Sequence, residues 1–212
     1  MADKARNGAP GARNSAARTS QFLSLMQCQG LIASAEHAER IGLHFNRQWT
    51  IHYERAGIGE HEATRFIGRL LKLASDCARR HKSKVAAMWV RENGDGKGGH
   101  VHILLHLPRS ITLRNLTFRW IKTAGGQPVR RVSKVRTIGG MWAIVDVGGA
   151  RYRTNADAVL TYLLKAAGDE TGKALALHRC CEGGPSVGKR AGWTQNIGLA
   201  ARSSFGQGLT SP

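Results

Sequence analysis

The chain has 212 residues, with 32 Lys and Arg against 14 Asp and Glu, a formal net charge of +18. An excess this large in a small protein points to a polyanionic partner, most often nucleic acid. No lipidation motif or long basic amphipathic helix favours an anionic membrane surface instead. The four cysteines (Cys28, Cys77, Cys180 and Cys181) are too few and too oddly spaced for a disulfide framework. With no apolar run of about 18 residues and no apolar stretch behind the charged N-terminus, neither a membrane span nor a secretory signal is expected. These features describe a soluble protein of a reducing compartment, the cytoplasm.

Residues 1–20, rich in Ala, Gly, Asn, Ser and Arg, read as a disordered basic arm. Residues 21–180 read as one domain and residues 181–212 as a flexible, basic, Gly-rich tail. Within the domain, Phe22 to Arg40 suggests a short helix, weakened by Gly30. Arg47 to Glu54 alternates as a strand, with Trp49, Ile51 and Tyr53 on one face and Thr50 and His52 on the other. Glu60 to His81 carries the clearest helical stripe, from Ala63, Phe66, Ile67 and Leu70 to Ala78.

Lys84 to Arg91 is a second strand, separated by a Gly-rich loop from a third that begins at His100. A strand pair is expected at Val132–Ile138 and Met141–Val147, turning at Gly139-Gly140, with Arg151–Arg153 extending the β region. Asn155 to Ala167 is a further helix, capped by Thr154 or Asn155 and ended at Gly168. The order predicts an α+β fold, a small antiparallel-sheet sandwich with the His-x-His on a central strand and a helix following.

The stretch His-Val-His-Ile-Leu-Leu-His-Leu, residues 100–107, is the most informative in the chain. In a strand, Val101, Ile103, Leu105 and Leu107 form one apolar face, and His100, His102, Leu104 and His106 form the other. Imidazoles at i and i+2 point the same way, roughly 6–7 Å apart at the backbone, and can converge on one ion. Glu92, at the end of the preceding strand, comes beside His100 if the two strands pair. Two imidazoles and a carboxylate leave open coordination positions, as a catalytic metal site requires. His106 lies farther along and is either a neighbour of the site or a DNA contact.

Tyr162 and Lys165 share a face of the later helix at i and i+3. A tyrosine hydroxyl becomes a nucleophile when its negative charge is stabilised, and a neighbouring lysine offers that charge.

Three pieces in order, Phe45-Asn-Arg-Gln-Trp-Thr-Ile-His52, Gly99-His-Val-His-Ile-Leu-Leu-His-Leu-Pro108 and Tyr162-Leu-Leu-Lys165, resemble the motifs of the HUH (His-hydrophobic-His) endonuclease superfamily. Within it they resemble the rolling-circle replication initiators, including the gene-2-like proteins of filamentous phages. The resemblance spans about residues 44–168. It implies an HUH/RRM-like sandwich, Mg²⁺ or Mn²⁺ on His100, His102 and Glu92, and Tyr162 as the nucleophile that forms a 5′-phosphotyrosyl link. It further implies that Lys165 orients phosphate or metal-bound water. The implied substrate is single-stranded or hairpin DNA. Backbone contacts are expected from Lys97, Arg109, Lys189 and Arg190, with base stacking on aromatics such as Trp193.

With one tyrosine on the helix and Tyr152 expected on a strand, the chain reads as a one-tyrosine enzyme. It has no Walker A pattern, so unwinding would fall to another protein, such as a host helicase. Single-strand transposases and plasmid relaxases use the same chemistry on the same fold. A basic nucleic-acid-binding protein that kept the fold without activity is the non-enzymatic alternative.

Overall fold

A computed structural model of the chain describes residues 18–94, 96–139, 149–178, 180–181 and 183–207. Its centre is a five-stranded antiparallel sheet in the order β5-β2-β4-β3-β7, built from β2 (Arg47–Ile51), β3 (Ala86–Glu92), β4 (His100–His106), β5 (Ser133–Thr137) and β7 (Ala191–Trp193). A two-stranded sheet pairs β1 (Thr19–Ser20) with β6 (Ser186–Val187). The helices are α1 (Leu25–Arg40), α2 (Ala63–Arg80), α3 (Leu113–Thr123), α4 (Ala150–Leu164), α5 (Asp169–Ala174) and α6 (Leu199–Gln207). The chain is therefore α+β, with a His-x-His on the central strand of the sheet.

Alternation along the strands divides the core in two. Trp49, Ile51, Ala87, Trp89, Val101, Ile103 and Leu105 face one side, where they join Phe66, Ile67 and Leu70 of α2 and Trp120 and Ile121 of α3. Met88, Val90 and Leu104 face the other, against Leu31 of α1 and Tyr152, Leu163 and Leu164 of α4. Both faces are covered, which explains why β3 is apolar almost throughout and buried at every position.

Helix α1 begins with a capping box. The Ser24 hydroxyl accepts from the Gln27 amide (3.3 Å), and the Gln27 side-chain oxygen accepts from the Ser24 amide (2.9 Å). Gly30 does not interrupt this helix: a Cβ there would collide with the Trp193 ring, so glycine lets β7 approach α1 closely.

The α4 region departs from the sequence expectation. Arg151–Arg153 is not an extension of the β region but part of the first turns of α4. Tyr152 accordingly lies on that helix rather than on a strand, with its hydroxyl donating to the Phe45 carbonyl at 2.8 Å. The apolar stripe begins one turn earlier than expected, at Tyr152, and runs through Ala156, Val159, Leu160 and Leu163. The helix start carries no side-chain cap to announce it, because its N-cap is Gly149. Gly168 likewise caps α5 instead of ending α4.

Helix α3 answers to no expected element. Its buried set, Leu113, Thr117, Trp120 and Ile121, is short and interrupted by polar residues. The expected strand at Val132–Ile138 is β5, while Met141–Val147 lies outside the described residues.

The expected flexible tail folds back into the domain. Strand β7 is an edge of the main sheet, with Val90 opposite Ala191 and Met88 opposite Trp193. Arg190 is fully buried and donates to Ser20, Gly184 and Arg91 carbonyl oxygens and to the Ser20 hydroxyl. Strands of two or three residues have no readable period, and an arginine satisfied by backbone acceptors resembles a surface charge in sequence. Among the described residues, no helix is long and apolar enough to cross a membrane.

Candidate active site

The site lies on the α1–α4 face, at the end of the sheet where β3 and β4 join. Antiparallel register sets Glu92 opposite His100 and Val90 opposite His102, so the carboxylate and both imidazoles point to one side. The connecting loop is held from β2's continuation: the Glu54 carboxylate accepts from the Gly99 amide at 2.5 Å. Gly99 lies so close to the Tyr53 ring that a side chain at this position would collide with it.

His100 Nε2 is 3.7 Å from Glu92 Oε2, and His102 Nε2 is 3.8 Å from Glu92 Oε1. The three side chains each offer one ligand atom within 4.8 Å of the others, and all three residues are buried. His100 Nδ1 faces the Gly98 carbonyl at 2.9 Å. A carbonyl only accepts, so Nδ1 carries a proton, and Nε2 is the ring nitrogen turned toward the site. His102 Nδ1 is anchored on the Thr50 hydroxyl at 2.9 Å, which holds the ring orientation with Nε2 toward Glu92.

The donor set fits a divalent cation. His102 Nε2 and Glu92 Oε1 are buried, and among the described residues neither has a hydrogen-bond partner. Burying unpaired polar atoms costs stability, and a cation between a lone pair and a carboxylate oxygen removes that cost. Two atoms each about 2.0–2.2 Å from one ion can be at most ~4.4 Å apart, and both imidazole–carboxylate distances fall inside that limit.

Burial pushes His102 down to about 3, with the Glu92 charge only partly opposing it, so the ring stays neutral and able to ligate. Burial alone would raise Glu92, but the imidazoles of His100 and His102 and the Lys165 ammonium hold it down at about 2. The site thus presents a carboxylate and neutral imidazole nitrogen together at neutral pH.

Helix α4 delivers the remaining groups. Lys165, at its C-cap, forms an ion pair with Glu92. Its ammonium also lies 4.7 Å from the Tyr162 ring centroid. The Tyr162 ring stands edge-on to His102, centroids 5.1 Å apart, and is 42% exposed. The helix end is tied down by the Leu23 amide donating to Ala166 (2.8 Å) and the Cys181 amide donating to Lys165 (2.7 Å). Sheet and helix therefore bring together all five residues expected at the centre: His100, His102, Glu92, Tyr162 and Lys165.

A cleft of about 400 Å³ opens beside them, lined by Gln48, Thr50, Lys97, Lys134, Arg136 and Tyr162 among others. His52 also lines it, its ring stacked on that of His100 with centroids 5.2 Å apart. Burial, followed by the nearness of His100 and Arg55, holds His52 below the usual histidine value. Thr50 and His52 were readable as one strand face. Their neighbourhood with His100 and His102 depends on β2 pairing with β4, which alternation alone does not specify.

The expected DNA contacts scatter. Lys97 lines the cleft. His106 is half-buried at the far end of β4, where its Nδ1 donates to the His44 carbonyl at 2.8 Å. Arg109 is exposed past that same end. Lys189 is exposed on the opposite face of the sheet, its ammonium over Trp89. Arg190 has no surface to offer DNA because its guanidinium is buried among carbonyls, and Trp193 packs against Gly30 and Arg202.

Compared with family models, with curated proteins and with solved structures, the chain matches none of them.

Proposed function

We propose that the protein is a metal-dependent DNA endonuclease and strand transferase of the HUH superfamily, using Mg²⁺ or Mn²⁺. It nicks and rejoins single-stranded or hairpin DNA through a 5′-phosphotyrosyl link, as an initiator of rolling-circle replication. The observation that carries the reading is the placement of Tyr162 and Lys165. A half-exposed tyrosine lies against a candidate metal ligand, and the ammonium paired with the Glu92 carboxylate stands over its ring. The net charge of +18 suits a phosphate-rich substrate.

A divalent cation held by His100, His102 and Glu92 supplies Lewis acidity to the scissile phosphate. Thr50 and the Gly98 carbonyl keep the two imidazoles turned toward it. Lys165 stabilises negative charge at the Tyr162 oxygen and at the phosphate. The Tyr162 oxygen forms a bond to phosphorus while the bond from phosphorus to the 3′-oxygen breaks. The phenolic proton leaves to solvent, and the 3′-oxygen takes up a proton to become a free 3′-OH. The downstream strand remains joined to Tyr162 through its 5′-phosphate, and the reverse steps rejoin the ends.

The test is incubation with a pool of labelled single-stranded and hairpin DNAs and Mn²⁺, followed by denaturing electrophoresis. A labelled protein band that disappears with EDTA and in Tyr162→Phe supports the reading. Tight binding without an adduct across the pool would overturn it in favour of a binding protein.

A further inference from the structure

Among the described residues, the candidate site is open on one side only. Toward β7, the Asn93 amide donates to Gly183 at 2.6 Å and the Arg91 amide donates to Arg190 at 2.8 Å, so the chain from 183 to 190 runs along the outer edge of β3. Gly184 lies so close to the Asn93 carbonyl that even a Cβ would collide. The Leu23 and Cys181 amides tie the end of α4 to the neighbouring chain segments. Glu92 is 6% exposed and His102 4% exposed, so the approach to them comes from the opposite side, through the cleft.

The floor of that cleft is ordered in rows by strand register. Thr50 is opposite both His102 and Lys134, placing these three side chains in one row across β4, β2 and β5. One step along, Gln48 is opposite Leu104 and Arg136. Lys134 and Arg136 therefore project from the same face of β5, roughly 7 Å apart along the strand, with Lys134 two strand spacings (about 10 Å) from His102. Both are exposed. Among the described residues, no carboxylate lines this cleft. Its far wall is Val159 and Tyr162, one turn apart on α4, an apolar surface of the kind on which a base rests.

We infer that the β2–β5 floor is the path of a single DNA strand on one side of the scissile phosphate, with Lys134 and Arg136 each engaging a backbone phosphate beyond the metal. The inference rests on the nicking reading of the same site. It adds that the protein holds nucleotides on one side of the cut and leaves the other side to solvent, because the β3–β7 side is walled.

The test has two arms, so that the path and the chemistry can fail separately. In the first, binding of a fluorescent oligothymidylate is measured in EDTA as a function of salt, without any nicking. Each phosphate contact contributes about 0.7 to the slope of log K against log[salt] for a single strand, so Lys134→Ala/Arg136→Ala lowers the slope by about 1.4. The matched pair Arg80→Ala/Arg119→Ala, exposed on α2 and α3 across the sheet, leaves the slope at its wild-type value. Equal losses from both pairs, or no loss from the first, would overturn the path even if nicking is real.

In the second arm, single methylphosphonates are moved through an oligonucleotide that forms the covalent adduct. Besides the scissile position, the interfering phosphates are expected to be contiguous and on one side of the cut, and to stop interfering in the Lys134→Ala/Arg136→Ala protein. Interference on both sides would contradict the one-sided path. Absence of any adduct while the first arm holds would overturn the nicking chemistry and leave a single-strand binding cleft.

Discussion

On the α2–α3 face of the sheet, Val101, Ile103 and Leu105 of β4 join Phe66, Ile67 and Trp120 in a closed apolar layer. On the α1–α4 face the same strand presents His100 and His102 to Glu92, Lys165 and Tyr162. The two faces come from one eight-residue stretch with a period of two, and their fates diverge because of what covers them. Helices α2 and α3 bring apolar stripes to the cluster that Val101, Ile103 and Leu105 join. Helix α4 adds Leu163 and Leu164 to the buried cluster on its face, while its Tyr162 is half-exposed beside His102 and its C-cap Lys165 pairs with Glu92. Burial serves packing on the first face. On the second it sharpens charge, since a low-dielectric setting strengthens the interactions among carboxylate, ammonium and imidazole.

Substitutions that act on one face and spare the other test this contrast. The largest effect belongs to the apolar layer: Ile103→Ala is expected to destabilise the fold by about 2–5 kcal/mol. Urea unfolding measures that loss, and the affinity for Mn²⁺ of the protein that remains folded should not change. On the other face, Lys165→Met is expected to slow adduct formation by roughly 10²–10³-fold, the usual cost of removing one electrostatic stabiliser. Single-turnover kinetics reads this, and circular dichroism at the assay temperature should show the protein still folded, with a lowered melting temperature from the unpaired Glu92.

Thr50→Val keeps the volume and removes the hydroxyl that holds His102 Nδ1. Outer-shell changes of this kind cost 10–100-fold in metal affinity by order of magnitude, which calorimetric titration with Mn²⁺ can follow. A separate effect is on pH. Both His102 (about 3 against 6.5) and Glu92 (about 2 against 4.5) titrate lower in the fold than in the unfolded chain. The unfolded chain then binds more protons between these values, so stability contributed by the site is complete above pH 6.5 and is lost as pH falls toward 3 and 2. In EDTA, the urea midpoint should decline over that window, and His102→Gln should flatten the upper part of the decline. An unchanged profile would mean that His102 is not held neutral by burial.

The contrast also shows what could be read from the chain beforehand. The alternation of residues 100–107 gave both faces of β4 directly, and Glu92 followed from treating β3 and β4 as a hairpin, which is a local pairing. The Tyr162–Lys165 pair followed from helical spacing. What escaped depends on contacts distant in sequence. His52 and Thr50 join the site only because β2 pairs with β4, some fifty residues away in the chain. Lys134 and Arg136 join it because β5 pairs with β2. Arg190 and Trp193 read as exposed tail residues, since nothing local signals that a three-residue strand will complete a sheet edge and bury a guanidinium among carbonyls. Helical spacing alone starts α4 a turn too late, because its first large apolar residue, Tyr152, follows two glycines, an alanine and an arginine instead of a side chain that caps.

The most direct measurement of the central claim uses one single-stranded substrate labelled in separate preparations at its 3′ or 5′ end, incubated with the protein and Mn²⁺. The 3′ label is expected to become covalently attached to protein. The 5′-labelled fragment is released with a 3′-OH that a polymerase can extend, and mass spectrometry finds the linkage on Tyr162. Label on the protein from the 5′-labelled strand, or an adduct that survives in Tyr162→Phe, would contradict it.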